Sequence, residues 1–193
     1  MTAARPKRGT AAETRARLVA AAAEVFNRDG YSGTDSNRLA RAAGYAPGVF
    51  YKHFADKKEL FLAVYVEWVA AEFAALARAL DEGGASAALA RRIVAVFVEH
   101  HRRWHGFRAS LRALVATDAD VRRFHRRERK KQLAAIAKLQ HPRGRHFSTA
   151  HDALLMFTIE RTADALGDGE AKSLGVEERA LVELLEALVR ERL

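Results

Sequence analysis

Apolar residues recur along most of this chain at three- and four-residue spacing, the period of a helix that buries one face. Leu18, Ala22, Val25 and Phe26 mark the first stripe, in a helix expected from about Thr10 to Arg28, with Gly30 just past its end. Thr34 reads as the N-cap of a short helix that ends at Ala42. Ala43-Gly44-Tyr45 is then a turn in which Gly44 can take a positive φ, and Pro47 suits the first turn of the next helix. Two short helices around a tight glycine-containing turn form a helix-turn-helix pattern. Its core candidates are Leu39, Ala40, Ala43, Val49, Phe50 and Phe54.

Asp56 reads as the cap of a long helix from about Lys57 to Leu80, with Leu60, Phe61, Val64, Trp68, Phe73 and Leu76 on its apolar positions. After a loop at 82–86, a helix from about Ala87 to Trp104 is expected, with Gly106 interrupting it. Phe107 to Ala116 forms a short helix, and Thr117 or Asp118 caps another that runs to about Leu139. His141-Pro142-Arg143-Gly144-Arg145 breaks the pattern. Two more helices follow, from about Ser148 to Leu166 and from about Val176 to Arg192, joined by a loop at 167–175. Nine helices and no strand make the expected fold all-α. The expected division is a helix-turn-helix domain at 1–55, with a basic amino-terminal arm, and a larger helical domain at 56–193.

Composition sharpens this picture in three places. Abundant alanine and three prolines favour helices. The absence of cysteine excludes disulfides and thiolate metal sites. No uninterrupted run of about 18 apolar residues appears and the amino terminus lacks an apolar signal core, so no membrane partner and cytoplasmic residence are expected. The net charge of +9 is uneven: residues 1–58 hold 11 Lys/Arg against 5 Asp/Glu. A polyanionic partner for that segment follows, because Lys and Arg release counterions from nucleic-acid phosphates.

The stretch 30–61, GYSGTDSNRLARAAGYAPGVFYKHFADKKELF, resembles the DNA-binding domain of TetR-family regulators. The resemblance is carried by Gly30-Tyr31, Thr34, Leu39-Ala40, Ala43-Gly44, Gly48, Tyr51, Phe54, Lys57 and Leu60 in that order. It implies that Thr34, Tyr51, His53 and Lys57 position the DNA backbone, while Arg38 and Pro47, Gly48 and Val49 face bases. Asn37 and Lys52 join this candidate DNA-binding set. An α-helix fits the major groove, where base edges differ in donor and acceptor pattern; Gly48 would let backbone approach closely and Val49 could touch a thymine methyl. Arg5, Lys7 and Arg8 are candidates for an adjacent minor groove. Ser36, Arg38, Ala46 and Phe50 depart from the family's usual residues and leave the operator sequence open. Bland readings stand beside these: Tyr51 and Phe54 as core aromatics, and Lys52, Lys57 and Lys58 as a solvated face.

For the larger domain the resemblance implies a homodimer through the last two helices and a small-molecule sensor pocket. Ala153, Leu154, Leu155, Met156, Phe157 and Ile159 cover nearly all sides of one helix, which must then bury more than one face. Leu181, Leu184, Leu185, Leu188 and Val189 give the last helix a broad stripe, for a dimer or for an internal core. Candidate ligand-binding residues combine bulk and polarity: Trp68, Phe97, His101, Trp104 and Phe107, then Leu111, Phe124, Glu128, Phe157 and Glu160. Glu128 either binds a cationic ligand group or pairs with Arg126, Arg127 or another helix. His101 and His105 have the four-residue spacing of a helical metal pair, but no third ligand is evident, so neither metal nor cofactor is expected. Residues 122–131, RRFHRRERKK, read as a solvated face, or else as a second DNA or acidic-partner contact.

No Ser-His-acid set, paired carboxylates or phosphate loop stands at credible spacing, so an enzyme is not expected. The expected function is a transcriptional regulator, more often a repressor by family precedent. It would bind a palindromic DNA operator as a homodimer and be released by an unidentified small molecule. A ligand-independent architectural DNA binder is the alternative.

Overall fold

The computed structural model describes residues 9–140 and 147–193. The expected basic arm with Arg5, Lys7 and Arg8, and the break at His141–Arg145, fall essentially outside them. The described residues form ten helices and no strand: α1 (Ala11–Asp29), α2 (Ser36–Ala42), α3 (Pro47–Phe50), α4 (Lys57–Asp81), α5 (Ser86–Arg103), α6 (His105–Thr117), α7 (Ala119–Gln140), α8 (Thr149–Gly167), α9 (Glu170–Ser173) and α10 (Glu178–Arg190). They divide into two compact units. One holds the described residues up to Val69 together with Gly106–Val121; the other holds Ala70–His105 and the described residues from Arg122 onward.

The first unit is cored by aromatic rings. Phe26 of α1, Phe61 of α4 and Phe107 of α6 are fully buried, with centroids 5.1 Å apart for Phe26–Phe61 and 4.8 Å for Phe61–Phe107. Each buried ring contributes about 1.5–3 kcal/mol through area removed from water. Tyr31 closes the cluster against Phe61 at 5.3 Å. The second unit is cored by Leu89, Ile93, Val94 and Val98 of α5, Ile159, Ala163 and Leu166 of α8, and Leu185 and Val189 of α10.

Several helix starts follow from capping. Thr10 accepts from the Glu13 amide while Glu13 reaches back to the Thr10 amide, a capping box. Gly30 closes α1 at φ 73° and donates to Phe26 O. Pro47 opens α3 and Ala46 offers it no side-chain cap. α2 is a correction: its cap is Asp35, whose carboxylate accepts from the Arg38 amide at 2.8 Å, while Thr34 is buried behind it. At α7 the cap is Asp118, which accepts from the Asp120 and Val121 amides, whereas Thr117 Oγ1 donates back to Ala113 O.

Three further differences have physical causes. The break between α5 and α6 falls at Trp104, not at Gly106. Gly106 lies in the first turn of α6 because a Cβ there would stand 2.0 Å from Asn27 O. The expected loop 167–175 contains the short α9, with Ala171 buried, between Gly169 at φ 78° and Gly175 at φ 71°. Finally, α4 is long and apolar enough to cross a membrane, despite Glu67 and Glu72 interrupting its apolar run. Its Leu60, Phe61, Val64, Tyr65, Trp68, Leu76 and Ala79 are instead buried within the two units.

Three cap and surface carboxylates carry a pH dependence. Asp35 is held below its ordinary value first by the Arg38 amide, Asp118 by the Val121 amide and then Lys58, and Asp29 by Arg28. Each therefore contributes stability that is present above the ordinary value of 3.8 and lost as pH falls through the lower folded value. Urea titrations at about pH 6 and about pH 3 are expected to show a smaller loss for the Asp35→Asn, Asp118→Asn double variant than for the parent. An equal loss in both proteins counts against these two caps.

Candidate nucleic-acid interface and sensor cavity

The helix-turn-helix is assembled from α2, a turn with Gly44 at φ 82°, and α3. Helical geometry proper covers only Pro47–Phe50. The chain continues in tight turns, with the Lys52 amide donating to Val49 O and the His53 and Phe54 amides both donating to Phe50 O. So the segment that carries the expected contacts from Pro47 to His53 is one helical turn extended by tight turns. Phe50 and Phe54 point inward and are 0% and 2% exposed, while Tyr51 is 60% exposed with its ring against Phe50. Phe54 is thus core and Tyr51 is surface. Gly48 and Lys52 are exposed, and Pro47, Val49 and His53 are half-buried. A Cβ on Gly48 would meet nothing within 4 Å.

The loop before α2 is held by its neighbours. Lys57 Nζ donates to Tyr31 O and Thr34 O, both at 2.8 Å, and lies 4.1 Å from the Tyr31 ring centroid. Burial holds its ammonium below the ordinary lysine value. Two of its three N–H donors are therefore committed inside the protein. The Tyr31 amide donates to Ser110 Oγ, and the Phe107 amide to Asn27 Oδ1. Arg38 donates to Gly33 O and pairs with Asp29 at 2.7 Å. Asn37 is exposed. Lys58 is tied to Asp118 and Asp120. Hence Tyr51, Lys52, Asn37 and Gly48 offer a free outer face, whereas Thr34, Lys57 and Arg38 are engaged in shaping the loop beneath it. Asn27, Ser110 and Asp35 are structural partners that the sequence reading missed. Asp35 was legible as an alternative cap three residues before Arg38, but nothing in the pattern brings Asn27 to residue 107.

The second unit contains a cavity of about 120 Å³, somewhat smaller than the roughly 150 Å³ that holds a benzene ring. Its walls are mostly apolar: Phe73, Leu76 and Leu80 of α4, Ile93 and Phe97 of α5, Ile136 of α7, Leu155, Met156 and Ile159 of α8, and Val189 of α10. Glu72, Gln132, Asp152, Glu160 and Arg192 are the polar groups on it. Of the ten ligand-binding candidates, Phe97 and Glu160 line this cavity. Trp68, Phe107 and Leu111 are buried in the first unit. Trp104 and Phe124 stack under Arg103 and Arg127, and Phe157 is 56% exposed with Arg129 over its ring. Glu128 is buried and pairs with Lys131 of its own helix rather than with Arg126, Arg127 or another helix. Glu72 was readable as a carboxylate four residues from both Trp68 and Leu76, on the apolar side of its helix.

His101 and His105 do not form a pair. His101 is buried, with Nδ1 donating to Asp164 Oδ1 at 2.8 Å and Nε2 3.3 Å from Glu72 Oε1. His105 is exposed and approaches Arg102 O. Of the basic run on α7, Arg123, Arg126, Arg127, Lys130 and Lys131 are exposed, while Arg122, Phe124, His125 and Arg129 are half-buried and Glu128 is buried.

Residues 18–64 match the family model described as bacterial regulatory proteins, tetR family. The chain is 37% identical over 62 residues to the HTH-type transcriptional regulator AcrR of Shigella flexneri, a stretch that spans 32% of this chain and 29% of that protein. It is 44% identical over 52 residues to the HTH-type transcriptional activator FasR of Mycolicibacterium smegmatis, spanning 27% of this chain and 24% of that one. In fold it is similar over 96% of its length to a fatty acid degradation regulator, FadR, from Bacillus halodurans, with TM-score 0.68 and 18% identity over 97% of that chain. A bacterial regulatory protein in the tetR family from Rhodococcus RHA1 gives TM-score 0.63 at 19% identity, over 93% of this chain and 96% of that one.

Proposed function

With residues 18–64 forming a tetR-family amino-terminal domain, we propose that the chain is a ligand-controlled transcriptional regulator, most simply a repressor. It binds a palindromic operator as a homodimer and is released by a small molecule that enters the cavity of the second unit. The proposed division of labour is DNA reading by residues 1–55 and sensing and dimerisation by 56–193, in the cytoplasm. The observation that carries this reading is the sidedness of the helix-turn-helix: Phe50 and Phe54 anchor it, while Gly48, Tyr51 and Lys52 face outward. In such modules the second helix enters the major groove.

The homodimer is supported by apolar surface on the last helices. Leu154 and Phe157 of α8 and Leu184 of α10 are each more than half exposed. A two-fold copy covering them would also duplicate the reading helix, as successive major grooves about 34–36 Å apart require. The ligand's action requires that it bind the two states with different affinity.

The test is a shift assay on DNA flanking the protein's own gene. Tyr51→Ala is expected to weaken operator binding about tenfold or more. Lys52→Ala weakens all DNA nearly uniformly and lowers the salt slope by about one. Gly48→Ala has open space and a better helix former, so the fold is at least as stable, yet a methyl against the duplex weakens binding. Three variants that melt like the parent and bind as tightly would sink the assignment. Binding that follows salt alone, with no operator preference, would point to an architectural protein.

A further inference from the structure

We propose that the cavity of the second unit takes a small amphiphilic cation: an ammonium-type head on an apolar body of roughly six heavy atoms, in preference to a carboxylate anion of the same size. This rests on reading that cavity as the sensor site. Its wall is apolar apart from a small polar set: Glu72, Gln132, Asp152, Glu160 and Arg192.

Glu72 carries the inference. It is 4% exposed, and its Oε1 has no hydrogen-bond donor among the described residues. His101 stands beside it, with Nε2 3.3 Å away without hydrogen-bond alignment and Nδ1 committed to Asp164. Glu160 is held by Arg129, which also donates to Gln132 Oε1, so that guanidinium is already shared. A buried carboxylate oxygen without a donor calls for one. An alkylammonium supplies both the N–H and the opposite charge, and charge-assisted bonds of this type are the strong ones. A carboxylate ligand would bring like charge to the same low-dielectric wall. A neutral alcohol could donate, but without the Coulombic gain.

The experiment is a calorimetric titration of the protein with three probes of equal chain length: hexylamine, 1-hexanol and hexanoate. Hexylamine is expected to bind at least about tenfold tighter than either other probe. Glu72→Gln, which keeps the shape and removes the charge, is expected to abolish that preference while leaving the hexanol affinity unchanged. Leu76→Trp fills the apolar end and is expected to remove binding of all three. The proposal is overturned if hexanoate binds as tightly as the amine, if no probe binds, or if the amine preference survives in either variant. Operator binding without any probe is measured on the same protein. Its loss would strike the regulator reading, whereas a failed amine preference with intact operator binding strikes only the ligand class.

Discussion

Replacing His101 by alanine is expected to cost about 3–5 kcal/mol of folding stability, from the cavity left by a buried ring and the hydrogen bond taken from buried Asp164. The imidazole has no exposed side-chain surface and stands between Glu72 of α4 and Asp164 of α8, which are 5% and 7% exposed. Removing it leaves two carboxylates facing each other across a void in low dielectric, adding a cavity cost to the electrostatic one. A domain's total stability is only about 5–15 kcal/mol, so the variant approaches unfolding. Urea denaturation provides the number. Adding Glu72→Gln to His101→Ala is expected to restore part of the loss, because one of the two uncompensated charges is gone. A single variant that loses under about 1 kcal/mol would mean that the imidazole neither fills this site nor holds Asp164. The result also bears on sensing, since Glu72 stands beside His101 and also lines the cavity.

Gly106→Ala is the second large effect. An added Cβ would sit 2.0 Å from Asn27 O and 3.0 Å from Asn27 C, both backbone atoms that no side-chain rotation can move. The helices must part, which also stretches the bond from the Phe107 amide to Asn27 Oδ1 and disturbs the fully buried Phe107 ring. Overpacking of this kind costs typically about 1–3 kcal/mol. Because the Tyr31 amide is likewise held by Ser110, the loop that leads into α2 should loosen with it. The variant is expected to melt several degrees lower and to bind operator more weakly even at temperatures where it is folded. Gly48→Ala is the internal control, since its Cβ enters open space. Equal melting temperatures for Gly106→Ala and the parent would show that α6 does not approach α1 this closely.

Much of the amino-terminal unit is legible in the sequence. The stripe Leu18, Ala22, Val25 and Phe26 is buried as its period required, and Gly30, Gly44 and Pro47 hold the turn and cap positions their chemistry favours. These features are local: each depends on residues within a turn or two of chain, where the rules of spacing and capping act. The choice of Asp35 over Thr34 as a cap was local as well, but two adjacent residues could serve and only the backbone path selects one.

What escaped the sequence depends on contacts across long chain separations. Gly106 looked like a helix breaker and is instead a point of close approach to Asn27, because the need for a missing side chain arises from a neighbour 79 residues away. Bulk and polarity nominated Trp68, Phe107 and Leu111 for the cavity. The fold placed them in the aromatic core of the other unit, and brought Glu72, Gln132, Asp152 and Met156 together instead. Helical periodicity reports which face of a helix is buried, but not which other helix buries it. The sequence alone therefore determined an all-helical chain that begins with a helix-turn-helix of one apolar and one outward side. Only tertiary packing decided which charges share a buried space, since that choice is made between helices rather than within them.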